Sequence, residues 1–396
     1  MSPSATSRST RVALVCGSCG RPAGGDEWSR CPACGRALEA RYPRTPAGRL
    51  RAPGTGLERY AAVLPASEGA LARAPLESTP LWELTTRAGG GPRVFGKDEG
   101  ANPTGSAKDP LAVTALACLL DRGVRELVFT STGNTAASFA WALEHFPEIS
   151  ATLLAADGFP VPADPPANLG IVRVPGDYAA AHQHARRAAR ARGVHCEEGF
   201  FSVGRREGLK TAYLDAMLTM PDAPTVVVQS ISSGMGLLAA DRAVDHLVDA
   251  GILPVRPRLI GVQQATCAPM ASAFAAGSPV IRTQDRIADP TGICVATLLG
   301  DPTPSYPDVR RVVAASDGAI VAVPDAAAIA ARSTLVAAGL DPCMASAMAV
   351  AGVDEGRARG LITQDDCVLV MLSGASRSTA GSMEAGALRH PPRGKT

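Results

Sequence analysis

Three groups of residues in this chain have the types and spacing that chemistry requires. The first is a cysteine quartet: Cys16 and Cys19 stand in CGSCG, Cys31 and Cys34 in CPACG, with eleven residues between the pairs. Each C-x2-C pair can turn two thiolates toward one point, and the glycine after each second cysteine frees the backbone of the turn. Four thiolates close the coordination sphere of a tetrahedral zinc and leave no place for an activated water, so the expected role is structural. Four reduced thiols without metal are the plain alternative. A nucleic-acid finger lacks its His pair and basic recognition helix here. The second group is a lysine, Lys108, which closes the turn KDEGANPTGSAKDP and opens an alanine-rich run. Asp109 is expected to cap that helix, Pro110 suits its first turn and Gly123 can end it. A lysine so placed is, on its own, a solvated surface residue.

The third group is a set of small-residue loops, each following a β-type run. Ser131-Thr132-Gly133-Asn134-Thr135 offers hydroxyls, a carboxamide and backbone N–H groups to a carboxylate. Ser232-Ser233-Gly234-Met235-Gly236 is small enough for its backbone to wrap a phosphate, although a lone Gly-rich turn is a weak signal. VLVMLSGAS ends a run at Ser373. An amine beside a phosphate-sized cradle and a carboxylate-sized cradle is the set of parts that a pyridoxal phosphate enzyme needs.

Positioning such parts takes a sheet with loops at one edge. The runs VRELVFT, ATLLAA, IVRVPG, TVVVQS, RLIGVQ and VLVMLS are nearly all apolar, and helical runs such as YAAAHQHARRAARARG and LLAADRAVDHLVDAG separate most of them. Parallel strands covered on both faces read this way, so the fold class is α/β, and ligands sit beyond the strands' carboxyl ends. GFPVPADPPANLG (158–170) cannot be a helix. RYPRTPAGRLRAPGTGLERY reads as a linker into a body that starts near Gly56. At 396 residues, 46% apolar and 19% charged, the chain is globular and long enough for two domains and an appendage. A net charge of +2 with no basic tract argues against nucleic acid as a partner, and no window is apolar enough to span a membrane. Six scattered cysteines suit a reducing compartment, so a cytoplasmic protein with a small-molecule substrate is expected.

With these residues in view, the chain resembles the fold type II pyridoxal phosphate enzymes, the tryptophan synthase β-like fold, and within them the threonine synthase-like branch. Lys97-x-Glu99-x-x-Asn102-Pro103-Thr104-Gly105-Ser106-x-Lys108-Asp109 is like the family's lysine motif, and Ser131 to Thr135 is like its asparagine loop. The resemblance implies a zinc ribbon (10–45), a large cofactor domain (46–104 and 201–390) and a small substrate-side domain (105–200). It implies that Lys108 carries pyridoxal 5'-phosphate and that Asn134 contacts the ring's 3-hydroxyl oxygen. Ser232, Ser233, Gly234, Met235 and Gly236 would hold its phosphate, and Ser373 would face the ring nitrogen. Ser106, Ser131, Thr132, Gly133 and Thr135 would meet the substrate. Arg205, in RREGLKT, would meet a substrate phosphate; an exposed helix-start arginine is the plain alternative.

The implied activity is β/γ-elimination or replacement on an amino acid with a leaving group, phosphate first. Phosphohomoserine conversion to threonine leads, with cysteate synthase-like replacement of phosphoserine's phosphate by sulfite next. A serine/threonine dehydratase and a noncatalytic scaffold stay open, and a homodimer is the family expectation. Ala107, Pro110 and the Pro-rich segment depart from the family's substrate side, whereas QSISSGMGLLAA and VPGDYAAA lean toward cysteate synthase.

Overall fold

The computed structural model describes residues 12–24, 28–85, 91–131, 133–176 and 178–376. The cysteine segment forms an antiparallel ribbon of β1 (Ala13–Cys16) and β2 (Leu38–Arg41). Then come β3 (Leu81–Thr85), β4 (Arg93–Asp98), β5 (Glu126–Thr130), β6 (Ser150–Ala156), β7 (Leu169–Val174), β8 (His195–Glu197), β9 (Val226–Ser230), β10 (Arg258–Gln264), β11 (Ala319–Val323) and β12 (Cys367–Leu372). They make two sheets, one ordered β11-β10-β9-β12-β4-β3 and the other β7-β6-β5-β8. Every neighbouring pair is parallel except β3 with β4 at the edge.

β9 and β12 are buried at every residue, which is why VVVQS and CVLVML show no alternation: helices cover both faces. The fold is thus the α/β architecture expected from the apolar runs. The linker is a correction. Its Leu50, Leu57 and Tyr60 are buried in the main core, and Arg44 Nε donates to the Asp249 carbonyl at 2.7 Å, so it is packed structure. Its Arg, Pro and Gly content hid three apolar anchors. The Pro-rich segment is indeed not helical; Asn168 at its end donates to the carbonyls of Leu143, Phe146 and Ile149 and pins it beneath the preceding helix.

Helix Lys108–Asp121 is buried from Asp109 to Leu119, so no polar stripe marks it in the sequence. Its close neighbour is helix Val203–Thr219. A Cβ on Gly204 would lie 2.8 Å from Ala115 Cα, and one on Gly208 would lie 2.4 Å from the Pro110 carbonyl oxygen. Two glycines one turn apart let these backbones approach closely. Arg205 is carried between them.

Candidate active site

Three loops converge because three strands are neighbours. β9, β12 and β4 lie side by side and parallel, so the segments after them, Ser232–Gly236, Ser373 and the lysine turn, leave the same carboxyl edge. The lysine turn is fastened to the end of β12: Ala107 N donates to the Ser373 carbonyl at 3.0 Å and Ala375 N to the Gly105 carbonyl at 2.9 Å. Buried Ser346 holds the far side of that junction, its Oγ donating to the Gly374 carbonyl at 2.9 Å. Ser373 stays half-buried beside this seam.

Within the lysine turn most of the motif is fastening. Lys97, 1% exposed, donates to the Thr79 carbonyl at 2.5 Å and pairs with Asp215, which also pairs with Arg59. Buried Glu99 accepts from Thr79 Oγ1 at 2.6 Å and Asn102 Nδ2 at 2.8 Å. Asp109 does not cap the helix. It is the second helical residue, and its carboxylate turns back to accept from Thr104 N at 2.7 Å and from Thr104 Oγ1. Thr104 Oγ1 lies 3.1 Å from Ser138 Oγ and so joins the lysine turn to the helix of the asparagine loop. Lys108 itself opens the helix, its backbone N donating to Ser106 Oγ at 3.3 Å. Burial holds its amine below the usual lysine value and Arg205 adds to this, against the opposing pull of Cys343 and Glu99. Desolvation disfavours the charged form, and the neutral amine is the nucleophile.

The phosphate-sized loop has the backbone expected of it. Gly234 is left-handed, with φ 80°, and its Cβ position lies 2.3 Å from Val309 Cγ2, so only glycine fits. No side chain caps the helix Met235–Asp249 that follows; Leu237 N donates to the Gly234 carbonyl at 3.1 Å, which leaves the N–H groups of Met235 and Gly236 for an anion. Ser232, Ser233, Met235 and Gly236 are half-buried around it. This donor set fits a phosphate.

The asparagine loop belongs to the other sheet. It follows β5, and Asn134 and Thr135 start helix Asn134–Leu143. Ser131 Oγ accepts from Gly133 N at 3.2 Å and Ala136 N at 2.9 Å, so the hydroxyl proton alone is left to donate. Thr132 lies outside the described residues. β8 neighbours β5, and just past it comes Arg205, which is buried, with 3% of its surface exposed, and not the exposed helix-start residue of the plain alternative. Its Nε lies 2.5 Å from Glu197 Oε2, too oblique for a hydrogen bond, and its Nη2 is buried with no hydrogen-bond partner among the described residues. Its guanidinium packs on Phe139, with 4.9 Å to the ring centroid. Sequence reasoning missed Glu197 because β8, HCE, has three residues and no strand signal.

The ribbon carries the four cysteine sulfurs within 4.8 Å of one another, with Cys16 to Cys34 at 3.4 Å and Cys19 to both Cys31 and Cys34 at 3.7 Å. Zinc–sulfur bonds of about 2.3 Å in a tetrahedron place sulfurs about 3.8 Å apart, so the four thiolates fit a structural zinc. The ribbon is docked on the active-site helix: Val203 shares its small core with Cys16, Cys31 and Leu38, and Arg206 donates to the Leu38 carbonyl.

The model for "Pyridoxal-phosphate dependent enzyme" matches residues 73–374, from ahead of the lysine turn to the end of β12. The chain belongs to the pyridoxal-phosphate dependent enzyme family. Among curated relatives, the cysteate synthase of Methanosarcina mazei is 27% identical over 391 residues, 92% of both chains. That of Methanocorpusculum labreanum is 29% identical over 288 residues, 69% of both. Among solved structures, maize serine racemase matches with TM-score 0.63 at 18% identity, covering 84% of this chain and 94% of that one. The threonine deaminase of T.th. gives 0.60 at 22%, covering 76% and 93%. The fold is therefore that of the fold type II pyridoxal phosphate enzymes, and the resemblance to their threonine synthase-like branch holds. The cofactor is pyridoxal phosphate, and no described helix is long and apolar enough to cross a membrane.

Proposed function

We propose that the protein replaces or eliminates an anionic leaving group, phosphate first, on the β- or γ-carbon of an amino acid. The carrying observation is the buried Arg205 guanidinium, whose Nη2 has no hydrogen-bond partner among the described residues, because a buried donor left unsatisfied is costly unless a ligand meets it. The cysteate synthase relatives favour β-replacement of phosphoserine's phosphate by sulfite. The phosphohomoserine reaction of a threonine synthase is the second reading, favoured by the lysine motif.

In this proposal Lys108 would hold the cofactor covalently, Ser232 to Gly236 would hold its phosphate, and Ser373 and Asn134 would hold its ring, at the nitrogen and the 3-hydroxyl oxygen. When bound, pyridoxal phosphate supplies an electron sink for charge at the substrate's α-carbon. Ser106, Ser131, Thr132, Gly133 and Thr135 orient the substrate, Ser131 through its one free proton. Lys108 Nζ, once the incoming substrate amine has displaced it, takes and returns the α-proton, and burial lowers its hold on that proton. Arg205 meets the departing anion while Glu197 fixes its orientation. The three-part domain division and a homodimer are kept within the proposal. A phosphate-release assay on phosphoserine, phosphohomoserine and serine, with and without sulfite, tests it. Sulfite-dependent release from phosphoserine is expected; release from none of the three contradicts the phospho-substrate reading.

A further inference from the structure

Beside Arg205 lies a polar pair that neither the lysine motif nor the loops account for. Tyr178 opens helix Tyr178–Arg192, and His182 stands one turn on. The Tyr178 hydroxyl is 3.1 Å from His182 Nε2, and the rings meet edge to face at 4.9 Å and 82°. Glu197 Oε2, the atom against Arg205, also accepts from Gly199 N at 3.2 Å. A Cβ on Gly199 would touch both members of the pair, at 3.8 Å from His182 Nε2 and 4.0 Å from the Tyr178 hydroxyl. The Gly199 N–H and the Arg205 guanidinium thus share one carboxylate. The Arg205 charge acts on both the phenol and the imidazole, and its Nη2 has no partner among the described residues.

We propose that Tyr178 and His182 complete, with Arg205, the subsite for the leaving-group anion, Tyr178 as its phenolic donor and His182 as the positioning residue that turns that donor. The inference rests on the reading of Arg205 given above. Burial, then the charges of Arg205 and Arg186, push His182 down to about 4, so the imidazole is neutral at working pH. Burial keeps Tyr178 protonated, with Arg205 opposing. A neutral pair has one proton more than its own contact uses. With Nε2–H donating to the phenol oxygen, the phenol proton is released for an oxyanion, and a cation plus a neutral donor meet the phosphate, with the Glu197 carboxyl group against Arg205. Gly199 is left-handed at φ 59°, a backbone conformation that favours glycine, and it lies within ordinary contact distance of the pair.

The test titrates inorganic phosphate and sulfate calorimetrically into holoenzyme, beside KM and kcat for phosphoserine with sulfite. Tyr178→Phe and His182→Leu are expected to weaken phosphate binding about tenfold or more, as loss of a hydrogen bond to a charged group does. KM should rise more than kcat falls, with the bound cofactor's visible spectrum unchanged. His182→Gln, which keeps an N–H donor, is expected to stay within about threefold of wild type, and that rescue separates positioning from packing. Loss of phosphate binding in Arg205→Met with wild-type binding in both Tyr178→Phe and His182→Leu overturns this inference and leaves the function standing. Absence of phosphate binding and of phosphoserine turnover in the wild type overturns both.

Discussion

The approach of helix Val203–Thr219 to the lysine helix makes Gly208→Ala a sharp perturbation. The new methyl would lie 2.4 Å from the Pro110 carbonyl oxygen and 2.7 Å from Leu111 Cα, where ordinary contact starts at 3.4 Å. Both obstacles are backbone, so the helices must part by about 1 Å near the turn that holds Lys108. Overpacking of this kind costs about 1–3 kcal/mol, and the helix propensity gained with alanine offsets up to about 1 kcal/mol. Pro110 is two residues past Lys108, and a displacement of about 1 Å at a reacting group can cost a hundredfold in rate. Thermal melts of apo and holo protein, cofactor absorbance and turnover read all three consequences. Gly69→Ala is the control, since that glycine lies in helix Glu68–Leu71 with nothing within 4 Å of its Cβ position. The control should melt at or above wild type, while Gly208→Ala melts lower and turns over about a hundredfold more slowly. A Gly208→Ala protein indistinguishable from the control would refute the close-packing argument.

Other consequences can be read with standard assays. Because burial and Arg205 lower the Lys108 amine from 10.5, the rate of cofactor uptake by apoenzyme should rise with pH around a midpoint below 10.5, and Arg205→Met should move that midpoint up. A midpoint unmoved in Arg205→Met would separate the two residues. Burial alone would raise Asp215, but Lys97 and Arg59 hold it below 3.8; its stabilising contribution is therefore present above 3.8 and lost as pH falls through the lower folded value. Asp215→Asn leaves the buried Lys97 charge without its carboxylate and should cost about 3–5 kcal/mol in denaturant titration. Stripping metal with a strong chelator should release one zinc per chain, lower the melting temperature and raise KM for a phosphorylated substrate, because the ribbon core includes Val203. A protein purified without zinc and equally stable would contradict the structural-metal assignment.

The readable parts of the sequence were those where one local rule suffices. The cysteine spacing, the fully apolar parallel strands and the small-residue loops each follow from a single requirement, and the structure sets the lysine turn, Ser373 and the Ser232 loop on one sheet edge. The unreadable parts depend on partners distant in sequence. β4 was hidden because RVFGKD is charged at both ends and buried only through β12 and β3. Asp109 has the composition of a helix cap, but Thr104, five residues earlier, competes for its carboxylate more effectively than the backbone does. For Arg205 the sequence leaves an exposed arginine open beside the phosphate role, because arginine usually is exposed; the burial comes from Phe139 and Glu197, which no local pattern links to it.

The central claim is that the Lys108 amine is the attachment point of pyridoxal phosphate. Borohydride reduction of the purified protein, followed by proteolysis and mass analysis, tests this directly. The expected result is loss of the visible absorbance and a phosphopyridoxyl mass on the peptide containing Lys108, with none on Lys97 or Lys210. A reduced cofactor found on another lysine, or a Lys108→Ala protein that still retains it covalently, would contradict the account.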